Sequence, residues 1–216
     1  MESPAMPMMP ECLRLYLVTD APEHCSLGLA ETVRRAIAGG VTLVQYRREH
    51  ADAATMLHEA AELREITRAA GVPFIVNNDV RLALQVGADG VHLGQSDMPV
   101  AQARKLAGQG FIIGISVSNE QEMLAVEPHI ADYVGCGPVF PTATKADAAP
   151  AVGLAGWTRL SRICPLPIVA IGGITATRAC ELRAAGPCDG VAVVSAICGA
   201  ADPAAASREL FTALSR

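Results

Sequence analysis

Eight short runs of β-type residues recur along this chain at near-regular intervals, at 13–19, 41–47, 73–77, 90–94, 111–117, 132–137, 167–172 and 190–196. Helical spacing fills the gaps. The clearest case is 52–70, where Met56, Ala60, Leu63 and Ile66 fall on one stripe. Glycines punctuate the helix ends at Gly39-Gly40, Gly71, Gly87, Gly108 and Gly186. Pro73 and Pro167 stand at strand starts, where a missing N–H does least harm, and a last helix is expected over 203–214. Strands alternating with helices give a parallel sheet, and eight repeats of the unit predict an α/β fold of the (β/α)8 TIM-barrel type. A doubly wound sheet is the alternative, but it usually needs fewer strands.

The composition fits such a barrel. In 216 residues, 51% are hydrophobic, 18% charged and only 4% aromatic. A core of Ala, Val, Leu and Ile suits strands buried on both faces. One domain over 13–216 is expected, preceded by a flexible leader over 1–12 whose Met- and Pro-rich start lacks the pattern of a signal peptide. A net charge of -5 argues against general nucleic-acid binding, and no apolar run reaches membrane-spanning length. The seven cysteines show neither CxxC pairs nor metal-type spacing and read as small packing residues in a reducing cytoplasm.

A barrel carries its chemistry at the C-terminal ends of its strands, and polar residues gather there. They are Thr19-Asp20, Gln45 and Arg47, Asn77-Asn78-Asp79, Gln95 and Asp97, Ser116, the loop Thr142–Lys145, Gly173, and Ser195. Gln45 and Arg47 share one side of their strand, and a guanidinium suits bidentate contact with phosphate. Asp79 and Asp97 each fit a helix N-cap; Asp97 also fits a Mg²⁺ ion shared with phosphate oxygens. His92, inside a strand, reads as a packed, hydrogen-bonded residue. Cys136 has no activating base in sequence. Gly172-Gly173 before a helix start, with Ser195 after the last strand, suits an anion.

Together these segments resemble the thiamine phosphate synthase family. They are Tyr16–Asp20, Gln45-Tyr46-Arg47, Phe74–Asn77, Ala88–Asp97, Gly114-Ile115-Ser116, Gly137–Lys145, Ala170–Ile174 and Val194–Ile197. The resemblance implies an enzyme, a transferase that joins a hydroxymethylpyrimidine diphosphate to a thiazole phosphate, or its carboxylated form, giving thiamine phosphate and diphosphate. It implies a dissociative step in which diphosphate departs first, assisted by Mg²⁺. Carried over by position, Gln45 holds the pyrimidine, and Arg47, Asn77 and Lys145 hold the diphosphate. Ser116 lies beside the breaking bond. Thr142, Thr144, Gly173, Val194 and Ser195 hold the thiazole phosphate. Asp97 is a metal ligand and Asn78 occupies the other metal position. Lys145, Ser116 and Arg47 are the expected catalytic residues, with small molecules as partners and homo-oligomerisation left open.

Two positions depart from the family pattern. Glu49 stands where a lysine is usual, and Asn78 where an aspartate is usual. Arg48 and Asp79 are neighbours that would compensate in part. The departures keep two alternatives in play, a thiazole-tautomerase-like isomerase and a non-catalytic binder of thiamine intermediates.

Overall fold

The computed structural model describes residues 10–144 and 149–215. After a 3-10 turn over Pro10–Leu13 come eight strands. They are β1 Leu15–Val18, β2 Leu43–Tyr46, β3 Phe74–Asn77, β4 Gly90–Leu93, β5 Ile112–Val117, β6 Tyr133–Cys136, β7 Ile168–Ile171 and β8 Gly190–Val193. All pair in parallel, each with its sequence neighbours, and β8 returns to β1 to close the barrel. The (β/α)8 expectation is therefore met.

Nine helices are seen among the described residues: α1 Leu29–Ala38, α2 Ala53–Ala70, α3 Val80–Gln85, α4 Val100–Ala107, α5 Glu120–Leu124, α6 Gly153–Ile163, α7 Ala176–Ala185, α8 Ser195–Cys198 and α9 Pro203–Ala213. The predicted stripe on α2 holds: Ala60 and Leu63 are buried, and Met56 and Ile66 pack against the same core. Asp52 caps that helix by accepting from Thr55 N. The eighth run is shorter than expected, because the chain turns into α8 at Ser195 instead of continuing as strand.

Period-two alternation divides each strand between two cores. Leu15, Leu17, Val44, Tyr46, Phe74, Val91, Ile113, Val134 and Ala170 face the helices. Leu13, Tyr16, Val18, Leu43, Ile75, Ile112, Tyr133, Val169 and Ala192 fill the barrel interior. The inter-strand register carries Gln45, His92, Gly114 and Gly135 onto that same inner side, beside Ile75, Tyr133 and Val169.

Three aspartates clamp the bottom of the barrel. Asp89, Asp132 and Asp189 stand directly before β4, β6 and β8. Each accepts through Oδ2 from the N–H of a residue on the preceding strand, Phe74, Ile113 and Ile168 respectively, at 2.7 Å. Each also donates its own N–H to the carbonyl of that residue. Arg64 grips Asp89 at 2.7 and 3.0 Å, and Arg104 bonds Asp132 at 2.6 Å. A guanidinium thus partners two of the three carboxylates where the ladder ends.

Candidate active site

The mouth lies at the C-terminal ends of the strands. It holds a cavity of about 510 Å³ lined by Asp20, His24, Pro141, Thr142, Ala143, Thr144, Gly173, Ser195 and Gly199. Four of the residues expected to hold phosphate, Thr142, Thr144, Gly173 and Ser195, therefore line one cavity. Local chemistry puts them there. Gly172 and Gly173 adopt φ of 97° and 62°, conformations open to glycine at little cost. A Cβ at Gly172 would meet Pro138 Cβ at 2.5 Å, and one at Gly173 would meet Pro141 O at 2.6 Å. The loop after β6 can thus lie on the glycine turn, and Val139 N and Phe140 N donate to Ile171 O and Gly172 O at 2.8 and 3.1 Å. Thr144 N in turn donates to Thr142 Oγ1 at 3.3 Å. Ser195 opens the short helix α8 with its side chain exposed. The ends of strands seven and eight, with a short extra helix, are where barrels of this kind commonly bind phosphate. Val194 packs on the interior core just below.

In the same cavity His24 Nδ1 lies 3.3 Å from Asp20 Oδ1. Arg47 follows β2, its backbone held by Thr19: Arg47 N donates to Thr19 Oγ1 at 2.9 Å, and that hydroxyl donates to Arg47 O at 3.2 Å. Its guanidinium is ion-paired with Glu49. Arg48 pairs instead with Glu23 and Glu59, at 3.4 and 3.6 Å, so it is committed to the barrel's flank. Asn77 ends β3 half-buried.

Asn78 directly follows β3, and Asp97 lies in the turn after β4. Asn78 has φ of 63° and donates its N–H to His92 O at 2.8 Å. Asp97 Oδ2 accepts from Gly94 N at 2.6 Å. Asp79 caps α3 by accepting from Leu82 N at 2.9 Å, so its carboxylate serves the helix and not the position next to it. Among the described residues no group of three His, Cys, Asp or Glu side chains forms a metal cage. Lys145 lies outside the described residues.

Gln45 is buried inside the barrel and its Nε2 donates to the Tyr16 hydroxyl. The Tyr16 and Tyr133 hydroxyls are 2.8 Å apart, Tyr133 Oη is 2.9 Å from His92 Nδ1, and His92 Nε2 is 2.9 Å from Ser116 Oγ. Burial pushes the His92 imidazole down to about 4 and both tyrosine hydroxyls up. All three rings are therefore neutral near pH 7.

Sequence reasoning gave Tyr16 and Tyr133 no role and read His92 as a packed residue. It missed Arg178 altogether, whose Nη1 donates to Gly173 O and whose guanidinium sits 4.5 Å over the Phe140 ring. A signal for the interior pair was present in the glycines. A Cβ at Gly114 would meet the Tyr133 ring at 2.1 Å and His92 Nδ1 at 2.5 Å, and one at Gly135 would meet His92 Cε1 at 3.0 Å. Glycines on β5 and β6 make room for two large polar side chains. Cys136 is buried and its thiol is pushed up to about 12, which leaves it an inert packing residue.

Fold and mouth define a (β/α)8 barrel whose polar groups converge on the end where such barrels work. Comparison with known proteins narrows this. The family described as thiamine monophosphate synthase matches residues 15–197. A thiamine-phosphate synthase of Chloroflexus aurantiacus is 50% identical over 197 residues, covering 91% of this chain and 90% of that protein. One of Methanocella arvoryzae is 49% identical over 204 residues, covering 94% and 95%. The solved thiamine phosphate pyrophosphorylase of Pyrococcus furiosus superposes with a TM-score of 0.85 at 38% identity, covering 95% of this chain and 97% of that one. A 3-hexulose-6-phosphate synthase, at 20% identity and a TM-score of 0.68, shares the fold. The chain belongs to the thiamine monophosphate synthase family.

Proposed function

We propose that this protein condenses 4-amino-2-methyl-5-(diphosphooxymethyl)pyrimidine with a thiazole phosphate, giving thiamine phosphate and diphosphate. One observation carries the reading beyond the family likeness. Thr142, Thr144, Gly173 and Ser195 line a single cavity, while Gln45 and Ser116 stand at the two ends of one hydrogen-bond chain in the barrel interior. The hydroxyl and glycine wall suits the thiazole phosphate. Gln45, Arg47, Asn77, Ser116 and Lys145 are assigned to the pyrimidine and its diphosphate. Departure of diphosphate asks for neutralisation and alignment, not a strong base. That agrees with a mouth whose one buried imidazole is held neutral.

Magnesium fits the donor set conditionally. Asp97, after β4, offers one carboxylate and Asn78, after β3, one neutral oxygen, so an ion held by both would complete its shell with water and substrate phosphate oxygens. When bound there it would neutralise charge on the leaving diphosphate. No helix among the described residues is long and apolar enough to cross a membrane. A reducing cytoplasm fits the free thiols of Cys25, Cys136, Cys164, Cys180, Cys188 and Cys198.

The Arg47–Glu49 pair favours one rival reading, an isomerase that acts on the thiazole alone and needs no diphosphate site. Incubation with both heterocycles and Mg²⁺ decides between them. The condensation reading expects equimolar thiamine phosphate and diphosphate. Conversion of the thiazole tautomer without diphosphate release would establish the isomerase, and no change in either heterocycle would leave a binder.

A further inference from the structure

A hydrogen-bond chain spans the barrel interior from Gln45 on β2 to Ser116 on β5. Its members come from four strands, β1, β2, β4 and β6, before it ends on the fifth. The hydrogens can be placed by counting. The Gln45 amide nitrogen only donates, so Tyr16 Oη accepts. The single hydroxyl hydrogen of Tyr16 then has one acceptor within reach, Tyr133 Oη at 2.8 Å. If Tyr133 donated to Tyr16 instead, the Tyr16 hydrogen would be buried with no acceptor, which costs more than the bond it replaces gains. Tyr133 therefore donates to His92 Nδ1 at 2.9 Å. A neutral imidazole that accepts at Nδ1 carries its hydrogen on Nε2, and this donates to Ser116 Oγ at 2.9 Å. The hydrogen of Ser116 is left over. Ser116 is half-buried at the mouth end of β5, so that hydrogen is free to point outward.

We propose that Tyr16, Tyr133 and His92 are positioning residues, a one-way hydrogen-bond chain that ties the Gln45 amide to Ser116 and holds the Ser116 hydroxyl as a donor toward the mouth. The inference rests on the reading above, in which Gln45 and Ser116 face the pyrimidine diphosphate. A hydroxyl held as donor stabilises the negative charge that gathers on a departing diphosphate. One that spends its hydrogen on His92 does not. The packing supports a built device. Gly114 and Gly135 vacate the space that the Tyr133 and His92 rings occupy, and the two rings lie 5.4 Å apart, centroid to centroid.

Two measurements test it. Long-range 1H–15N spectra of the ligand-free, metal-free protein labelled with [15N]histidine report the His92 tautomer, with the signal assigned by its loss in His92→Gln. The Nε2–H form is expected; the Nδ1–H form would overturn the direction of the chain. The second measurement is a double-mutant cycle on condensation. Tyr133→Phe keeps the ring and should lower kcat about fivefold with both KM values within twofold, and Tyr16→Phe should do the same more weakly. In a Ser116→Ala background Tyr133→Phe should have no further effect on kcat. Additive losses would show that Tyr133 acts only on general stability and would refute a role through Ser116. The tautomer needs no turnover, so a protein that fails to condense the heterocycles still reports on the chain.

Discussion

Glu49 is ion-paired with Arg47 across the mouth end of β2. The carboxylate stands where the family pattern has a lysine, and it engages the guanidinium assigned to the diphosphate. Binding of the diphosphate must displace it. Arg47 is 11% exposed and Glu49 49% exposed, so the pair is partly screened by water and worth at most about 1 kcal/mol. Glu49→Gln should therefore lower the KM for the pyrimidine diphosphate by roughly two- to fivefold, and Glu49→Lys by more. The gain should shrink as salt rises, because screening weakens the pair it removes. Steady-state kinetics at low and high ionic strength check this; a KM that does not move means the diphosphate does not meet Arg47.

Lys145 is assigned to the same diphosphate. Loss of one charge that acts on the leaving group costs on the order of 10²-fold in kcat. Lys145→Ala should show a loss of that size in a single-turnover assay, with thiazole phosphate affinity nearly unchanged. Turnover within about threefold of wild type would make Lys145 a solvated loop residue.

The eight strands were legible because strands buried on both faces read as short apolar runs bounded by Gly and Pro. Their ends were overestimated, since mouth residues such as Thr19, Arg47 and Gly94 keep strand-like neighbours after leaving the ladder. That Thr142, Thr144 and Gly173 gather around one cavity was legible too, because Gly172-Gly173 and Thr142–Thr144 are local features. The interior chain was not. Its bonds join residues 29, 117, 41 and 24 positions apart, and only the register of a closed barrel brings them together. The clamp formed by Asp89, Asp132 and Asp189 was hidden for the same reason. Each aspartate looks like ordinary loop until the start of the preceding strand is placed beside it.

Gly173 tests the phosphate wall. A side chain there faces both a φ of 62° and a Cβ contact of 2.6 Å to Pro141 O. Gly173→Ala should raise the thiazole-phosphate KM about tenfold or more, through displacement of the loop that carries Thr142 and Thr144. The pyrimidine KM should change little. Thermal unfolding of the variant serves as the control, and an unchanged thiazole KM in a folded variant would remove phosphate from this wall.

His92 sets a pH dependence of stability. Burial pushes its imidazole from 6.5 down to about 4. Below pH 6.5 the unfolded chain takes up a proton that the folded chain refuses until about pH 4. The contribution of the neutral, buried ring is complete above pH 6.5 and is lost progressively as pH falls to about 4, by roughly 3 kcal/mol. Urea-unfolding midpoints of the metal-free protein should fall over that interval, and the fall should be smaller in His92→Gln. Parallel curves for the two proteins would mean that His92 is protonated when folded.

The metal end carries the last prediction. If Mg²⁺ is held by one carboxylate at Asp97 and one amide at Asn78, its affinity is weak and it depends on the diphosphate for the rest of its shell. Asn78 sits at φ of 63°, a conformation that aspartate also tolerates, so Asn78→Asp restores a carboxylate without disturbing the backbone. It should lower the Mg²⁺ needed for half-maximal rate by roughly tenfold, the scale of one added charge at a partly solvated site. Asp97→Asn keeps an oxygen that can accept from Gly94 N, so the turn survives while the charge is lost, and turnover should nearly vanish. Rate titrated against Mg²⁺ separates the outcomes. A curve that stays in place for Asn78→Asp would take Asn78 away from the metal and leave Asp97 as its only protein ligand at this strand end.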